Sequence, residues 1–161
     1  MNFTLTTERL QLRPCNADDL TFLYALWTSD RIRYFLFDDR IISQEETRSF
    51  IKASLNSFEQ HDYGLWLVHH QEQCIGFAGF LHTEAAPTLI YGMHPDFWGQ
   101  GYATEAARAV LNDGLSTLNL LKVNADVDEL NIASVRVLQK LGMKQVDRAI
   151  VNDRGLLYFS T

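Results

Sequence analysis

The segment Trp98-Gly99-Gln100-Gly101-Tyr102-Ala103-Thr104 constrains the fold of this chain more than any other. It lies between a strand-like run, Thr88 to Met93, and a helical pattern that begins at Thr104. Two glycines and an alanine let the backbone turn sharply and approach a ligand closely, because no bulky side chain intervenes. The helix that follows offers unpaired N–H groups and the positive end of its dipole, a setting that suits phosphate. A plain tight connection between strand and helix has the same appearance. The spacing contains G-x-G, but Thr104 stands where G-x-G-x-x-G needs its third glycine, and a P-loop lysine is lacking. Nicotinamide and nucleoside-triphosphate sites are disfavoured on that ground. A cradle for another nucleotide-like anion stays open.

The rest of the chain alternates strands and helices. Thr4 to Arg13 alternates Leu5, Leu10 and Leu12 with polar residues and predicts one strand ending at Pro14. Asn16, followed by Asp18 and Asp19, caps a helix through Leu20, Leu23, Tyr24 and Trp27. Ser43 and Glu46 form a capping box for another, whose Phe50, Ile51, Leu55 and Phe58 recur at helical spacing. Strands over Gly64 to His69, Cys74 to His82 and Thr88 to Met93 follow; the polar turn Gln71 to Gln73 makes an antiparallel meander of them. Thr104 to Leu118 reads as a helix with Ala107, Val110, Leu111, Gly114, Leu115 and Leu118 on one face. Leu121 to Val127 is a strand, and Asn131 to Leu141 a helix closed by Gly142. Two last strands, Met143 to Val151 and Leu156 to Ser160, turn at Asn152-Asp153-Arg154-Gly155. No repeat or linker interrupts this order, so residues 1–161 read as a single α/β domain.

Composition narrows the function classes. The chain is 47% hydrophobic and 21% charged, the balance of a globular protein. It holds no long uncharged apolar run for a membrane span, and Met1-Asn2-Phe3-Thr4-Leu5 has no signal-peptide pattern, so a cytoplasmic protein is expected. Cys15 and Cys74 stand alone, without C-x-x-C or a histidine cluster, which predicts free thiols rather than a disulfide or zinc site. His82-Thr83-Glu84 echoes the H-x-E of zinc deaminases, but the P-C-x-x-C that completes their site is missing, and no metal is expected. A formal charge of −6 speaks against a nucleic-acid partner and for a cationic one.

A second cluster lies further on: Asn131-Ile132-Ala133-Ser134-Val135-Arg136-Val137-Leu138, ending in Lys140-Leu141-Gly142-Met143. Asn131 is a good N-cap, and Ser134 falls in the first turn, where surface exposure would be ordinary. Joined with Thr7-Glu8-Arg9-Leu10-Gln11-Leu12-Arg13-Pro14 and with His94 through Ala106, these segments resemble the GNAT superfamily of N-acetyltransferases, in its RimJ/RimL-like branch. The resemblance spans nearly the whole chain in the right order. It implies a three-layer fold, a largely antiparallel mixed sheet with helices on both faces, splayed into a V between its fourth and fifth strands. It implies acetyl-CoA as cosubstrate in that V, its pyrophosphate on the amides of Gln100, Gly101, Tyr102, Ala103 and Thr104. Pantetheine, an extended amide chain, can pair like a strand with the edge near Met93 and His94. The Met93 amide then becomes the candidate oxyanion donor. By the same resemblance Asn131 contacts the pantetheine arm and Ser134 protonates the departing thiolate, a role other branches give to a tyrosine where this chain has Leu138.

The chain also departs from the family pattern. Trp98 replaces the usual arginine or glutamine before the loop glycine, a change familiar in this branch. Thr88 stands where many relatives carry a glutamate general base. Glu84, His82 and His94 are the candidates nearby, and each also reads as a solvated loop residue. Cys15 is the other nucleophile the sequence offers, and it lies far from the cofactor motifs. The expectation is direct acetyl transfer to a primary amine, a protein N-terminus or a small molecule, by a monomer or homodimer. A CoA-binding sensor without turnover is the alternative. A nucleotide-binding module unrelated to CoA is a third reading.

Overall fold

The computed structural model describes residues 2–161. The N-terminal run forms two strands rather than one, β1 (Leu5–Thr6) and β2 (Leu10–Pro14), paired antiparallel with Leu5 opposite Leu12. Thr7 makes the turn: its amide donates to the Leu10 carbonyl at 2.9 Å, and its hydroxyl accepts from the Leu10 amide at 3.0 Å. That local side-chain bond competes with the ladder and breaks the strand.

Asn16 and Asp19 form a reciprocal capping box around a 3₁₀ turn, Ala17–Asp19, which leads into α1 (Leu20–Thr28). A short helix that the sequence pattern did not predict, α2 (Asp30–Leu36), follows at once. Ser43 and Glu46 cap α3 (Gln44–His61) as expected. The meander is β3 (Leu65–His70), β4 (Gln73–Leu81) and β5 (Thr88–Met93). The helix after the glycine loop, α4 (Tyr102–Asn112), ends earlier than its apolar pattern and continues as a π-helical turn, Asp113–Thr117. Within that turn a Cβ on Gly114 would meet the Phe80 ring at 2.7 Å, so the backbone packs directly on the sheet. The next strand starts three residues later than predicted, as β6 (Asn124–Asp128), because Leu121 is fully solvated. Then come α5 (Ile132–Lys140), β7 (Lys144–Val151) and β8 (Arg154–Ser160). Gly142 closes α5 at φ 83°, and Asn152 and Asp153 turn the last hairpin at φ 51° and 63°.

The eight strands form one sheet in the order β1-β2-β3-β4-β5-β6-β8-β7. Every neighbouring pair is antiparallel except β5 and β6, which run parallel and pair only at Thr88 and Asn124. Beyond that pair the strands part. This is the expected V, one strand later in number because the first strand is split. Apolar cores cover both faces of the sheet. One joins Leu12, Trp66, Phe80, Val110 and Leu138; the other joins Leu23, Trp27, Leu65 and Phe77. Leu65 to Val68 is buried on both faces, which explains its unbroken apolar run in the sequence. Among the described residues no helix is long and apolar enough to cross a membrane, and no group of three or more His, Cys, Asp or Glu residues is placed to hold a metal.

Asp19 ties the first helix to the sheet. It takes both Arg13 guanidinium nitrogens, at 2.7 and 2.9 Å, and the Asn16 amide at 2.8 Å. Burial opposes its ionisation, yet Arg13 and the Asn16 amide outweigh that and hold the carboxyl below its usual range. A carboxylate with a depressed folded pKa contributes stability above its unfolded pKa of about 3.9, and that stability is lost as pH falls through the folded value. Asp19→Asn is expected to cost about 1–3 kcal/mol at pH 7, less what solvent screening at half-exposed Arg13 removes. Denaturation across pH 2–7 checks this: the difference between parent and variant should shrink below about pH 4.

Candidate active site

The V between β5 and β6 is a cleft of about 510 Å³. Its walls come from β5 (Leu89 to Met93), β6 (Ala125 to Asp128), the loop and first turn of α4, one face of α5, and α2. Strand alternation decides which backbone groups face it. The His94 amide donates to the Ile75 carbonyl of β4 at 2.7 Å, so the Met93 amide points the other way, toward the parted edge. The Met93 carbonyl shares that direction and accepts from the Trp98 indole N–H at 2.8 Å. Of the two residues predicted to meet pantetheine, Met93 offers a free amide to the cleft and His94 does not. The His94 ring also turns aside, its Nδ1 accepting from the Asp96 amide at 3.2 Å.

The glycine loop sits at one end of the cleft. Gly99 and Gly101 adopt φ of 77° and 81°, values at which a side chain is strained. Gly101 occupies the N-cap of α4, and no side chain caps the helix there. The amides of Tyr102, Ala103 and Thr104 therefore face the cleft end without a local acceptor. Arg9 braces the loop from outside: its guanidinium donates to the Gln100 carbonyl at 2.9 Å, lies 4.4 Å above the Tyr102 ring and pairs with Glu105 at 2.7 Å. Thr7 donates to the same carboxylate. Gln100 itself stands outside the cleft lining, whereas Gly101, Tyr102, Ala103 and Thr104 belong to it, with Arg136 and Lys140 of α5 adding positive charge. This donor set fits a pyrophosphate.

The start of α5 supplies hydroxyl chemistry. Asn131 caps the helix by accepting from the Ser134 amide at 3.3 Å, and both residues line the cleft. The Ser134 hydroxyl lies 2.8 Å from the phenol of Tyr91, whose O–H also reaches the Ser134 carbonyl at 3.0 Å. Burial pushes the Tyr91 phenol up to about 12, the Ser134 hydrogen bond pulling it partly back. The phenol thus keeps its proton at neutral pH. The sequence reading missed Tyr91; it appeared only as one more β-former in a strand, 43 residues from its partner.

His82 and Glu84 lie elsewhere. They follow β4 at the closed end of the V, where Leu81 pairs with Thr88, and neither lines the cleft. Met93 is five residues further along β5, about 16 Å at strand rise. His82 is also engaged: its Nδ1 lies 2.7 Å from the Tyr63 hydroxyl and its ring stacks on His61 at 3.9 Å. The two are near each other in sequence but outside the geometry of the cleft. Cys15 is fully buried in the opposite core, and burial pushes its thiol up to about 11, so it stays protonated and inert. Cys74 is likewise raised to about 11 by burial.

Residues 9–144 match the acetyltransferase (GNAT) domain family. Over 147 residues, 88% of this chain and 83% of the relative, the sequence is 26% identical to an uncharacterized N-acetyltransferase, p20, of Bacillus licheniformis. It is 20% identical over 137 residues to the spermidine N(1)-acetyltransferase of Escherichia coli K12, covering 85% of this chain and 74% of that enzyme. An acetyltransferase structure from Agrobacterium tumefaciens superposes with a TM-score of 0.85 at 25% identity, covering 98% of this chain and 93% of the other. The ribosomal L7/L12 alpha-N-protein acetyltransferase RimL, solved with coenzyme A, superposes with a TM-score of 0.79 at 17% identity, over 98% and 97% of the two chains.

Loss of the Asn131 cap has a separable structural cost. Asn131→Ala is expected to lower stability by about 1 kcal/mol, measured by chemical denaturation, while Asn131→Ser, which keeps a capping oxygen, should recover most of it.

Proposed function

Because the chain belongs to the GNAT acetyltransferase family, matched over residues 9–144, we propose that it transfers acetyl from acetyl-CoA to a primary amine by direct attack, without a covalent acetyl-enzyme. The observation that carries this reading is the meeting, in one cleft, of uncapped α4 amides, the outward Met93 amide and the Tyr91–Ser134 hydroxyl pair. The family uses acetyl-CoA, which supplies a thioester whose C–S bond breaks as the amine's C–N bond forms.

The chain's own groups divide the work. The amides of Tyr102 to Thr104, with Arg136 and Lys140, hold the pyrophosphate. Asn131, whose carboxamide oxygen is committed to the helix cap, turns its N–H₂ toward the pantetheine arm. The Met93 amide donates to the carbonyl oxygen as negative charge grows there. Ser134 delivers a proton to sulfur and takes one from the Tyr91 phenol beside it, which at about 12 is a weak acid but a stronger one than a serine hydroxyl. The inert thiols of Cys15 and Cys74 support direct attack over a relay through cysteine.

The acceptor is an amine. RimL acts on an α-amino group of a ribosomal protein and the Escherichia coli relative on spermidine. For this chain we favour an α-amine. Its pKa of about 7.7–8.0 leaves roughly a tenth neutral at pH 7, against well under a hundredth of a lysine-type amine near 10.4. The competing reading is a CoA-binding protein without turnover. Thr88 at the vertex of the V, where the family resemblance implies a glutamate in many members, is what favours that alternative.

Two variants test the assignment. Gly101→Val places a Cβ at φ 81°, within 3.3 Å of the Arg9 guanidinium, and tilts the donor amides. Acetyl-CoA affinity by calorimetry should fall about tenfold or more, as loss of one charge-assisted hydrogen bond costs about 1.5–3 kcal/mol. Ser134→Ala should leave that affinity nearly intact and lower turnover. Unchanged affinity in the first variant would remove the loop from the site, and unchanged turnover in the second would remove Ser134 from the chemistry.

A further inference from the structure

The cleft passes through the sheet, and its two sides differ chemically. Tyr91, Ala125 and Val127 face the core beneath α4 and α5, so the anion loop, Asn131 and Ser134 all lie on that side. Residues of opposite parity emerge on the other side, among Ile32, Phe35 and Leu36 of α2 and Ile90 of β5. Asp126 is one of them. Its neighbours Ala125 and Val127 are buried in the first core, so alternation directs its carboxylate through to the α2 side. Counted two residues along each strand from the Thr88–Asn124 pair, Asp126 is level with Ile90, one residue before Tyr91.

The charged and titratable groups around Asp126 are otherwise engaged. On its own strand Asp128 takes the Leu130 amide at 2.9 Å and lies 3.6 Å from Arg154 of β8. Arg154 also donates to the Tyr34 carbonyl and stacks 4.0 Å over the Tyr34 ring. Asp38, past the end of α2, is 3.9 Å from Arg154. Arg31 of α2 lies 4.6 Å over the Trp98 ring. Tyr158 of β8 is the ladder partner of Asp126, and β5 presents only Ile90 at that level. Asp126 has no ion-pair or hydrogen-bond partner among the described residues; it lines the cleft with its side chain still open to solvent, and partial desolvation by the cleft walls raises its carboxyl above the usual range.

Resting on the acetyl-transfer reading above, we propose that Asp126 is the carboxylate that receives the acceptor's ammonium group and takes its proton. The donor groups occupy one side of the V, so the amine enters from the other, along the apolar wall of α2. Asp126 is the unpaired anion there. A charge-assisted hydrogen bond orients the ammonium, one proton passes from nitrogen to carboxylate, and the nitrogen is left with the lone pair that attack requires. The assignment answers the question left by Thr88: the carboxylate stands on β6 instead of β5. It also gives the negative charge of the chain a local use.

Asp126→Asn keeps the shape of the side chain and removes its charge. A short peptide with a free α-amine and spermidine serve as probes. With the better of the two, kcat/KM at pH 7 should fall about 100-fold, while acetyl-CoA affinity by calorimetry stays within about twofold of the parent. Equilibrium binding of the probe amine, read without acetyl-CoA, should weaken about tenfold, and Asp126→Glu should restore part of it. The acid limb of the parent's pH–rate profile should give way in the variant to a dependence on the amine's own pKa. A folded Asp126→Asn protein with parental kcat/KM and parental amine binding overturns this inference alone. A parent that binds acetyl-CoA yet acetylates neither probe overturns the acetyl-transfer reading, and the role of Asp126 falls with it.

Discussion

The parting of β5 and β6 is the constraint on which the rest of the structure depends. The two strands run parallel and share one ladder position, Thr88 with Asn124, with the Asn124 amide donating to the Pro87 carbonyl at 2.9 Å just before it. Beyond that position alternate residues of β5, Leu89, Tyr91 and Met93, leave strand-edge N–H and C=O groups facing a gap, while those between them bond to β4. Dry and unpaired, each such group costs about 1–3 kcal/mol, so the gap has to hold water or a polar chain. Trp98 shows how one of these groups is met from within, its indole donating to the Met93 carbonyl. The Met93 amide beside it stays open. An extended amide such as pantetheine satisfies an edge of this kind as a strand would.

Around the gap the fold sorts charge by side. The uncapped loop amides, Arg136 and Lys140 gather positive charge at one end of the cleft, and the Tyr91–Ser134 pair also lines it. Across the sheet, α2 presents an apolar wall with Asp126 opposite. The separation follows from strand alternation alone, since consecutive residues of β6 must point to opposite faces. Arg9 and Glu105 hold the loop to the first hairpin, so the N-terminal strands, far from the loop in sequence, fix its pitch. Arg9 is more than a third exposed, and its contribution comes from geometry more than from the strength of the ion pair.

Local chemistry made much of this legible in the sequence. The cap residues Asn16, Ser43 and Asn131, the αL glycine Gly142 and the meander from Gly64 to Met93 announce themselves through short-range bonds and period. The glycine loop did so because Gly99 and Gly101 sit at positive φ. What escaped depends on contacts across the fold. The first strand breaks at Thr7, whose hydroxyl is held by Glu105 from α4. The end of α4 becomes a π turn where Gly114 meets Phe80. Tyr91 finds Ser134 only once β5 and α5 are brought together. Asp126 hid in plain strand alternation, while Glu84 and His82 drew notice for being near Thr88, at the end of the strand where the V is closed.

Amide hydrogen exchange on the chain with and without coenzyme A tests the central claim most directly. If the open edge of β5 and the uncapped start of α4 form the binding surface, the amides of Met93, Tyr102, Ala103 and Thr104 should slow on binding. The His94 amide, already bonded to Ile75, should change little. Binding with no protection at Met93 or in the loop, or with protection confined to other surfaces, would contradict the account.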